Sequence, residues 1–174
     1  RDMNLFKDDD GTAYISYSSD GNSNTYIAKL NDSYTGLIKD RDEMVLDEDF
    51  SLAFEGASRE ASAMFKYNGK YYMITSGCTG WAANAASYAV ADDPLGPWTT
   101  IGNPFTDSSY STSYDTQSTC VFPVDAEAGK FIYMGDRWYN PDKGYDLSDS
   151  RYPGVSINIS LWETMLLHAR GDIL

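Results

Sequence analysis

One pattern limits the folds open to this chain more than any other. An acid or amide, an apolar strand, a short turn and a second tyrosine-bearing strand follow one another three times. Asp2, Glu60 and Gln117 open the three copies, 58 and 57 residues apart. The first copy runs through Leu5-Phe6-Lys7, a turn at Asp8 to Gly11, and Thr12 to Tyr17. The second runs through Met64-Phe65-Lys66, Tyr67-Asn68-Gly69 and Lys70 to Thr75, and the third through Val121-Phe122-Pro123, a turn at Ala128-Gly129, and Lys130 to Met134. Each turn carries glycine after a small or polar residue, which supplies the positive φ that tight hairpins require.

A third strand is expected at Asn24 to Leu30 and at Ala86 to Ala91, and a weaker fourth at Thr35 to Lys39 and at Trp98 to Ile101. Three or four antiparallel strands recurring every fifty to sixty residues read as the blades of an all-β propeller. An ordinary β-sandwich also spaces hairpins regularly, but it has no reason to place a polar group at each equivalent strand start. A radial arrangement does, because those starts converge on one axis.

The 174 residues suit one core, with no Pro- or Ser-rich linker dividing them. Three units are too few to close a ring, and no strand precedes the unit that begins at Arg1. The expectation is therefore part of a propeller whose N-terminal portion lies outside this chain. An open stack of three is expected to expose sheet faces, to self-associate, and to show little activity alone.

No apolar run approaches the roughly 18 residues of a membrane-spanning helix. A formal net charge of −13 disfavours nucleic acid and anionic membrane surfaces as partners, since both select basic patches. A neutral ligand such as a sugar fits better, and 14 tyrosines with four tryptophans offer flat amphipathic faces on which sugar rings stack. The same aromatics are also good strand formers.

Several chemistries drop out. Cys78, Cys120 and His168 are not spaced as zinc ligands, so no metal and no cofactor is expected. The two cysteines read as buried free thiols, with a disulfide between neighbouring units left open. Asp8-Asp9-Asp10-Gly11 lacks the later ligands of a calcium loop and reads as a solvated hairpin tip. The acidic run from Asp40 to Asp49 reads as a connection between units. There is no Gly-x-Ser-x-Gly elbow and no glycine-rich phosphate loop.

Carboxyl acid–base chemistry remains, and it needs groups held on a rigid frame in differing environments. Glu60 precedes Ala61-Ser62-Ala63-Met64-Phe65, so its carboxyl is expected in a semi-buried place. Desolvation and a nearby Asp2 would raise its pKa, while Arg59, its strand neighbour, faces the opposite side. A protonated Glu60 can donate to a glycosidic oxygen; the alternative is a structural salt-bridge partner.

Arg59-Glu60-Ala61, Ala63 to Lys66 and above all Lys70-Tyr71-Tyr72-Met73-Ile74-Thr75-Ser76-Gly77-Cys78-Thr79-Gly80-Trp81 resemble glycoside hydrolase family 43, in particular its exo-β-1,3-galactanases. Arg1 to Phe6, Ala85 to Ala91, Leu95 to Trp98, Gln117-Ser118-Thr119 and Met134 to Trp138 match in the same order, so the resemblance covers residues 1 to about 152. It implies a five-bladed β-propeller, of which about three blades are present here, and cleavage with inversion. It implies Glu60 as general acid, Asp2 as the residue that tunes and orients it, and Gln117 as the holder of the attacking water. It also implies Thr79 and Trp81 as the hydroxyl and stacking partners of a terminal galactose.

The implied substrate is the β-1,3-galactan of arabinogalactans, and the implied setting is extracellular or at the cell wall. Residues 1–152 then form a partial catalytic propeller and 153–174 a divergent tail with a strand-like Val155 to Ile159 and a helix-like Trp162 to His168. Ser62 stands where the family commonly has proline, which should loosen the strand start. Trp98 is assigned to structure. Asp136, Arg137 and Trp138 either reach the site or form a structural Asp–Arg pair, and stay outside the catalytic set. The alternative to an enzyme is a catalytically inactive or truncated carbohydrate-binding propeller.

Overall fold

The computed structural model describes residues 2–105 and 110–137, together with the backbone of 155–158. Among the described residues, eleven strands form three antiparallel sheets in simple chain order. The first holds β1 (Met3–Lys7), β2 (Ala13–Ser19), β3 (Asn24–Lys29) and β4 (Phe50–Phe54). The second holds β5 (Arg59–Tyr67), β6 (Lys70–Gly77), β7 (Ser87–Ala91) and β8 (Thr99–Gly102). The third holds β9 (Gln117–Asp125), β10 (Lys130–Asp136) and β11 (Val155–Asn158), the last paired with β10. The strand-like stretch expected at Val155 thus joins the third sheet. The helix-like stretch at Trp162 to His168 and the residue Trp138 lie outside the described residues.

The β5–β6 hairpin shows how local sequence sets the register. Tyr67 pairs with Lys70 across a two-residue loop, and Asn68 and Gly69 both take positive φ, 48° and 73°. That is the primed turn whose twist matches the flanking strands.

Alternation then decides what each sheet buries. On β6, Tyr71 and Met73 pack toward the first sheet with Tyr14, Ile27 and Phe54, while Tyr72 and Ile74 pack toward the third with Val121, Phe131 and Tyr133. The second sheet is covered on both faces, which is why β6 reads as an unbroken apolar run rather than an alternating one. The outer sheets are not so covered. Leu5 on β1 is 60% exposed and Val124 on β9 63%.

Neighbouring sheets meet at sequence separations close to the repeat itself. Asn4 bonds to the Ser62 carbonyl and Lys66 to Asp8, each 58 residues apart, and Gln117 bonds to Glu60 and Ser118 to Ala61, each 57 apart. Equivalent positions of successive units therefore stand side by side, and polar groups at the strand starts converge at one end of the stack.

Two expectations need correction. The fourth strand of the first unit is Phe50–Phe54, not Thr35 to Lys39, where Leu37 makes only a single bridge to Leu30. Consequently the acidic run at Asp40 to Asp49 is a connection inside the first sheet, and Asp49 is buried, accepting from Lys39 Nζ at 2.6 Å and from the Val45 N–H at 2.9 Å. The hairpin tip is not wholly solvated either. The Asp8 side chain is only 8% exposed, 2.6 Å from Lys66 Nζ on the second sheet, and accepts from the Tyr71 hydroxyl.

Burial pushes the Asp8 carboxyl up, but the Lys66 and Tyr71 hydrogen bonds outweigh it and hold the pKa below the usual range. A folded-state pKa below the unfolded one stabilises the fold above the unfolded value, and that stability is lost as pH falls through the folded value. Thermal melts should show the midpoint falling as pH drops below about 4. Asp8→Asn should lower the neutral-pH midpoint and flatten that acid slope; an unchanged slope would mean the pair contributes nothing.

Candidate functional site

Glu60 is the second residue of β5 and Gln117 the first of β9, and the two side chains touch. Gln117 Nε2 donates to Glu60 Oε1 at 3.1 Å and to Ser76 Oγ at 3.1 Å. The other carboxylate oxygen, Oε2, accepts from Asn22 Nδ2 at 2.9 Å. Arg59 turns the opposite way, as strand alternation requires. Its Nη2 donates to the Thr75 carbonyl at 2.7 Å, and its Nε to Thr75 Oγ1 at 3.0 Å. Burial pushes the Arg59 guanidinium down, opposed by the charge of Glu60 nearby.

The backbone that aims these groups is strained. Asp20, Gly21 and Asn22 take positive φ in succession (52°, 70° and 68°), and so do Ser113, Tyr114 and Asp115 (53°, 60° and 58°) just ahead of Gln117. Ala61 has φ 53°, at the β-bulge that shifts register between Glu60 and Ala63. Left-handed backbone costs a non-glycine residue of order 1–3 kcal/mol, and such residues gather where a site needs particular directions. Here they deliver Asn22, Glu60 and Gln117 to one place.

Beside this cluster lies a cavity of about 430 Å³ whose lining includes Asp2, Asn4, Ser62, Gln117 and Asp136. That is within the range of small-ligand sites. Asp2 is exposed, and among the described residues its carboxylate makes no hydrogen bond with Glu60; Asn22 and Gln117 do that instead. Ser62 is buried and shares a 2.7 Å hydrogen bond with Ser16, so the residue expected to loosen the strand start is held.

Trp81 stands 76% exposed, consistent with a surface residue rather than a packing one. The Thr79 hydroxyl donates to the Ala82 carbonyl at 2.6 Å and accepts from Asn84 Nδ2 at 2.7 Å, so its proton is committed within its own loop. Trp98 packs partly buried against the core between the first two sheets.

The cysteines are free, but not both buried as expected: Cys78 is exposed and Cys120 half-buried. Partial burial pushes the Cys78 thiol up, and the Glu60 carboxylate beside it pushes further. Of the two alternatives for Asp136 and Arg137, the structural pair is not seen among the described residues. Arg137 Nη2 donates to the Tyr114 carbonyl at 3.0 Å. No cluster of three or more His, Cys, Asp or Glu capable of holding a metal is present among the described residues.

Sequence reasoning missed Asn22, Ser76 and Asn4. Asp20-Gly21-Asn22 looks like any polar turn, and nothing local shows that its last side chain reaches a carboxylate 38 residues away.

Gly135 deserves its place for a steric reason. A Cβ there would come within 2.8 Å of Thr116 Oγ1 and 2.9 Å of the Gln117 carbonyl. Gly135→Ala should push back the start of β9 and cost about 1–3 kcal/mol. Urea unfolding would read that loss, and unchanged stability would show that the strand start yields freely.

Residues 2–140 match the model of glycosyl hydrolases family 43. The chain belongs to that family. It is similar to a family 43 β-1,3-galactosidase solved with galactodeoxynojirimycin, at 41% identity and TM-score 0.70, over 80% of this chain and 37% of that one. A Clostridium thermocellum exo-β-1,3-galactanase is 32% identical over 90% of this chain and 30% of its own, with TM-score 0.66. A Phanerochaete chrysosporium exo-β-1,3-galactanase solved with galactose is 32% identical over 80% of this chain and 30% of its own, with TM-score 0.67. The family 43 chain described here therefore spans about a third of the length of these relatives. Among curated proteins none matches it.

Proposed function

We propose that this protein is an inverting, exo-acting glycoside hydrolase that releases galactose from the β-1,3-galactan of arabinogalactans, built on the five-bladed propeller of its family. The observation that carries the reading is the Glu60 carboxylate held between Asn22 and Gln117 at converging strand starts, next to a sugar-sized cavity. Relatives whose names specify β-1,3-galactosidase or exo-β-1,3-galactanase support the substrate.

In this reading Glu60 protonates the glycosidic oxygen as the bond breaks, Asn22 and Gln117 hold its carboxyl in the resting site, and Asp2, on the wall of the neighbouring cavity, is the residue that tunes it. Gln117 holds the water that attacks the anomeric carbon from the other face. An inverting pair stands roughly 6.5–9.5 Å apart so that water fits beside the sugar. The direct bond between Glu60 and Gln117 at 3.1 Å is then a resting contact that galactoside binding must part. Trp81 stacks on the terminal galactose and Thr79 accepts one of its hydroxyl protons. A polymeric substrate cannot cross a membrane, which fits action outside the cell or at the cell wall.

Proton NMR of β-1,3-galactotriose hydrolysis tests this. Galactose should appear first as the α-anomer and mutarotate afterwards. Galactose appearing first as the β-anomer would overturn inversion, and oligosaccharide binding without release would favour the carbohydrate-binding reading.

A further inference from the structure

We propose that a second saccharide-binding site lies at the far end of the first sheet, where a groove around Tyr34 holds a segment of the polymeric substrate. The site goes beyond the glycosidase reading above and rests on it only for the choice of polymer.

Two adjoining cavities make the groove. One, of about 360 Å³, is lined in part by Asp10, Asn31, Asp32, Tyr34 and Ile38. The other, of about 590 Å³, shares Asn31 and Ile38 with it and runs on past Lys39 and Arg41. Each is of small-ligand size, and their shared wall suits an extended ligand rather than a compact one.

Register separates this groove from the strand starts. Lys7 of β1 pairs with Ala13 of β2, and Tyr14 of β2 with Lys29 of β3. The turn at Asp8 to Thr12 and the loop after Lys29 therefore stand together at one end of the sheet, with Asp2 and Asn22 at the other. Extended strand from Asp2 to Asp8 spans roughly 20 Å, so a sugar unit bound at one end does not fill the other.

Tyr34 is the residue that points to a ligand. It takes φ 60°, a backbone region that costs a bulky residue energy and that glycine or asparagine occupies more readily. What tyrosine adds at that position is its ring, which is 47% exposed. The ring is nevertheless held still. Its hydroxyl donates to the Gly11 carbonyl at 3.0 Å, and its loop is braced by the Asn31 N–H on the Gly36 carbonyl at 2.9 Å and by the Thr35 N–H on Asn31 Oδ1 at 3.0 Å. Lys7 Nζ stands 4.9 Å from the ring centroid on one side and does not line the cavity. The other side is left for the C–H face of a sugar, and exposed Ile38 extends the apolar strip.

The polar groups suit hydroxyls rather than ions. Asp10 and Asp32 are exposed and form no ion pair among the described residues. Their carboxylates can accept from sugar hydroxyls, and the Asn31 amide can donate to them. The cations of the groove are engaged, Lys39 with Asp49 at 2.6 Å and Arg41 with Asp42 at 3.3 Å, so no positive cluster gathers for an anion. A net charge of −13 opposes anions further. A neutral polyhydroxylated chain uses both the ring and the carboxylates. Held there, it raises the local concentration of chain ends for the site at the strand starts.

Affinity electrophoresis through gels containing β-1,3-galactan reads this binding directly, with Glu60→Gln as the background so that the polymer is not consumed. Adding Tyr34→Ala should weaken retention about three- to tenfold, while Tyr34→Phe, which keeps the ring, should hold most of it. Asp32→Ala, which leaves the Tyr34 bond to Gly11 in place, should weaken retention in the same direction and decides the matter if Tyr34→Ala misfolds. With Glu60 intact, Tyr34→Ala should raise KM for β-1,3-galactan by a similar factor and leave kcat and KM for β-1,3-galactobiose within about twofold of wild type. Undiminished retention of folded Tyr34→Ala and Asp32→Ala would overturn the groove, and so would equal losses on polymer and disaccharide or a parent protein that the polymer does not retain. Retention that depends on Tyr34 in a wild-type protein that releases no galactose would instead overturn the glycosidase reading and leave the groove standing.

Discussion

Glu60→Gln should lower the rate of galactose release from β-1,3-galactobiose by about 10²–10⁴, the range general acid catalysis supplies. The substitution removes the proton and little else. Glutamine has the same reach, its carbonyl can still accept from Asn22, and the Gln117 amide can rotate to meet the new NH₂. The fold should therefore stay intact, with a melting midpoint within a few degrees of wild type, since a whole kcal/mol moves a domain of this size by roughly 2–4 °C.

The sharper readout is dependence on the leaving group. A galactoside whose leaving group is a dinitrophenolate departs without protonation, so its hydrolysis should fall far less than that of galactobiose. KM for galactobiose should change little, because a proton transferred in the transition state contributes to kcat rather than to ground-state binding. Equal losses on both substrates would show that Glu60 positions the sugar and does not protonate it. Unchanged release of galactose would remove Glu60 from the mechanism altogether.

What the sequence showed of this arrangement depended on whether the deciding physics was local. Strand period, primed turns and the repeat itself are local, so β1, β2, β5, β6, β9 and β10 lie where the alternation places them. The opposite facing of Arg59 and Glu60 follows from the same period. The spacing of 57 and 58 residues held more than it first suggested, because it also gives the separation of the side chains that join neighbouring sheets.

Non-local effects were hidden. Asp8 reads as solvated until Lys66 and Tyr71 arrive from the next sheet. β4 follows a long acidic connection, and its position depends on pairing with β3 rather than on its own composition. Asn22 owes its contact with Glu60 to three successive left-handed residues, a conformation that Asp-Gly-Asn permits but does not announce. The sequence leaves Asp136 between reaching the site and pairing with Arg137, and the turn of that arginine to the Tyr114 carbonyl weighs against the pair.

Asn4→Ala should have the largest effect on stability of any polar substitution near the site, and the reason lies in what one amide joins. Asn4 sits on β1, yet its Nδ2 donates to the Ser62 carbonyl on β5 at 2.9 Å and to the Thr119 carbonyl on β9. Three sheets are tied through two protons of one side chain. Ser118 adds a bond from β9 to the Ala61 carbonyl and Ser16 one to Ser62, but neither reaches all three sheets. Alanine would leave two carbonyls without that donor at the point where the sheets converge. Each such loss costs about 1–3 kcal/mol, so the sum is about 2–4 kcal/mol after partial rescue by water. Against total stabilities of about 5–15 kcal/mol, that is a large fraction. Urea unfolding should show the midpoint falling with the slope unchanged, and Asn4→Asp, which keeps the shape but supplies no donor, should fall at least as far. A loss under about 0.5 kcal/mol in both variants would place the joint elsewhere, in the packing of Phe6 against Tyr14 and Tyr71. Because Ser62 and Thr119 border the cavity with Gln117, the loosened joint should also lower kcat while the protein is still folded, linking the stability of the strand starts to the chemistry they present.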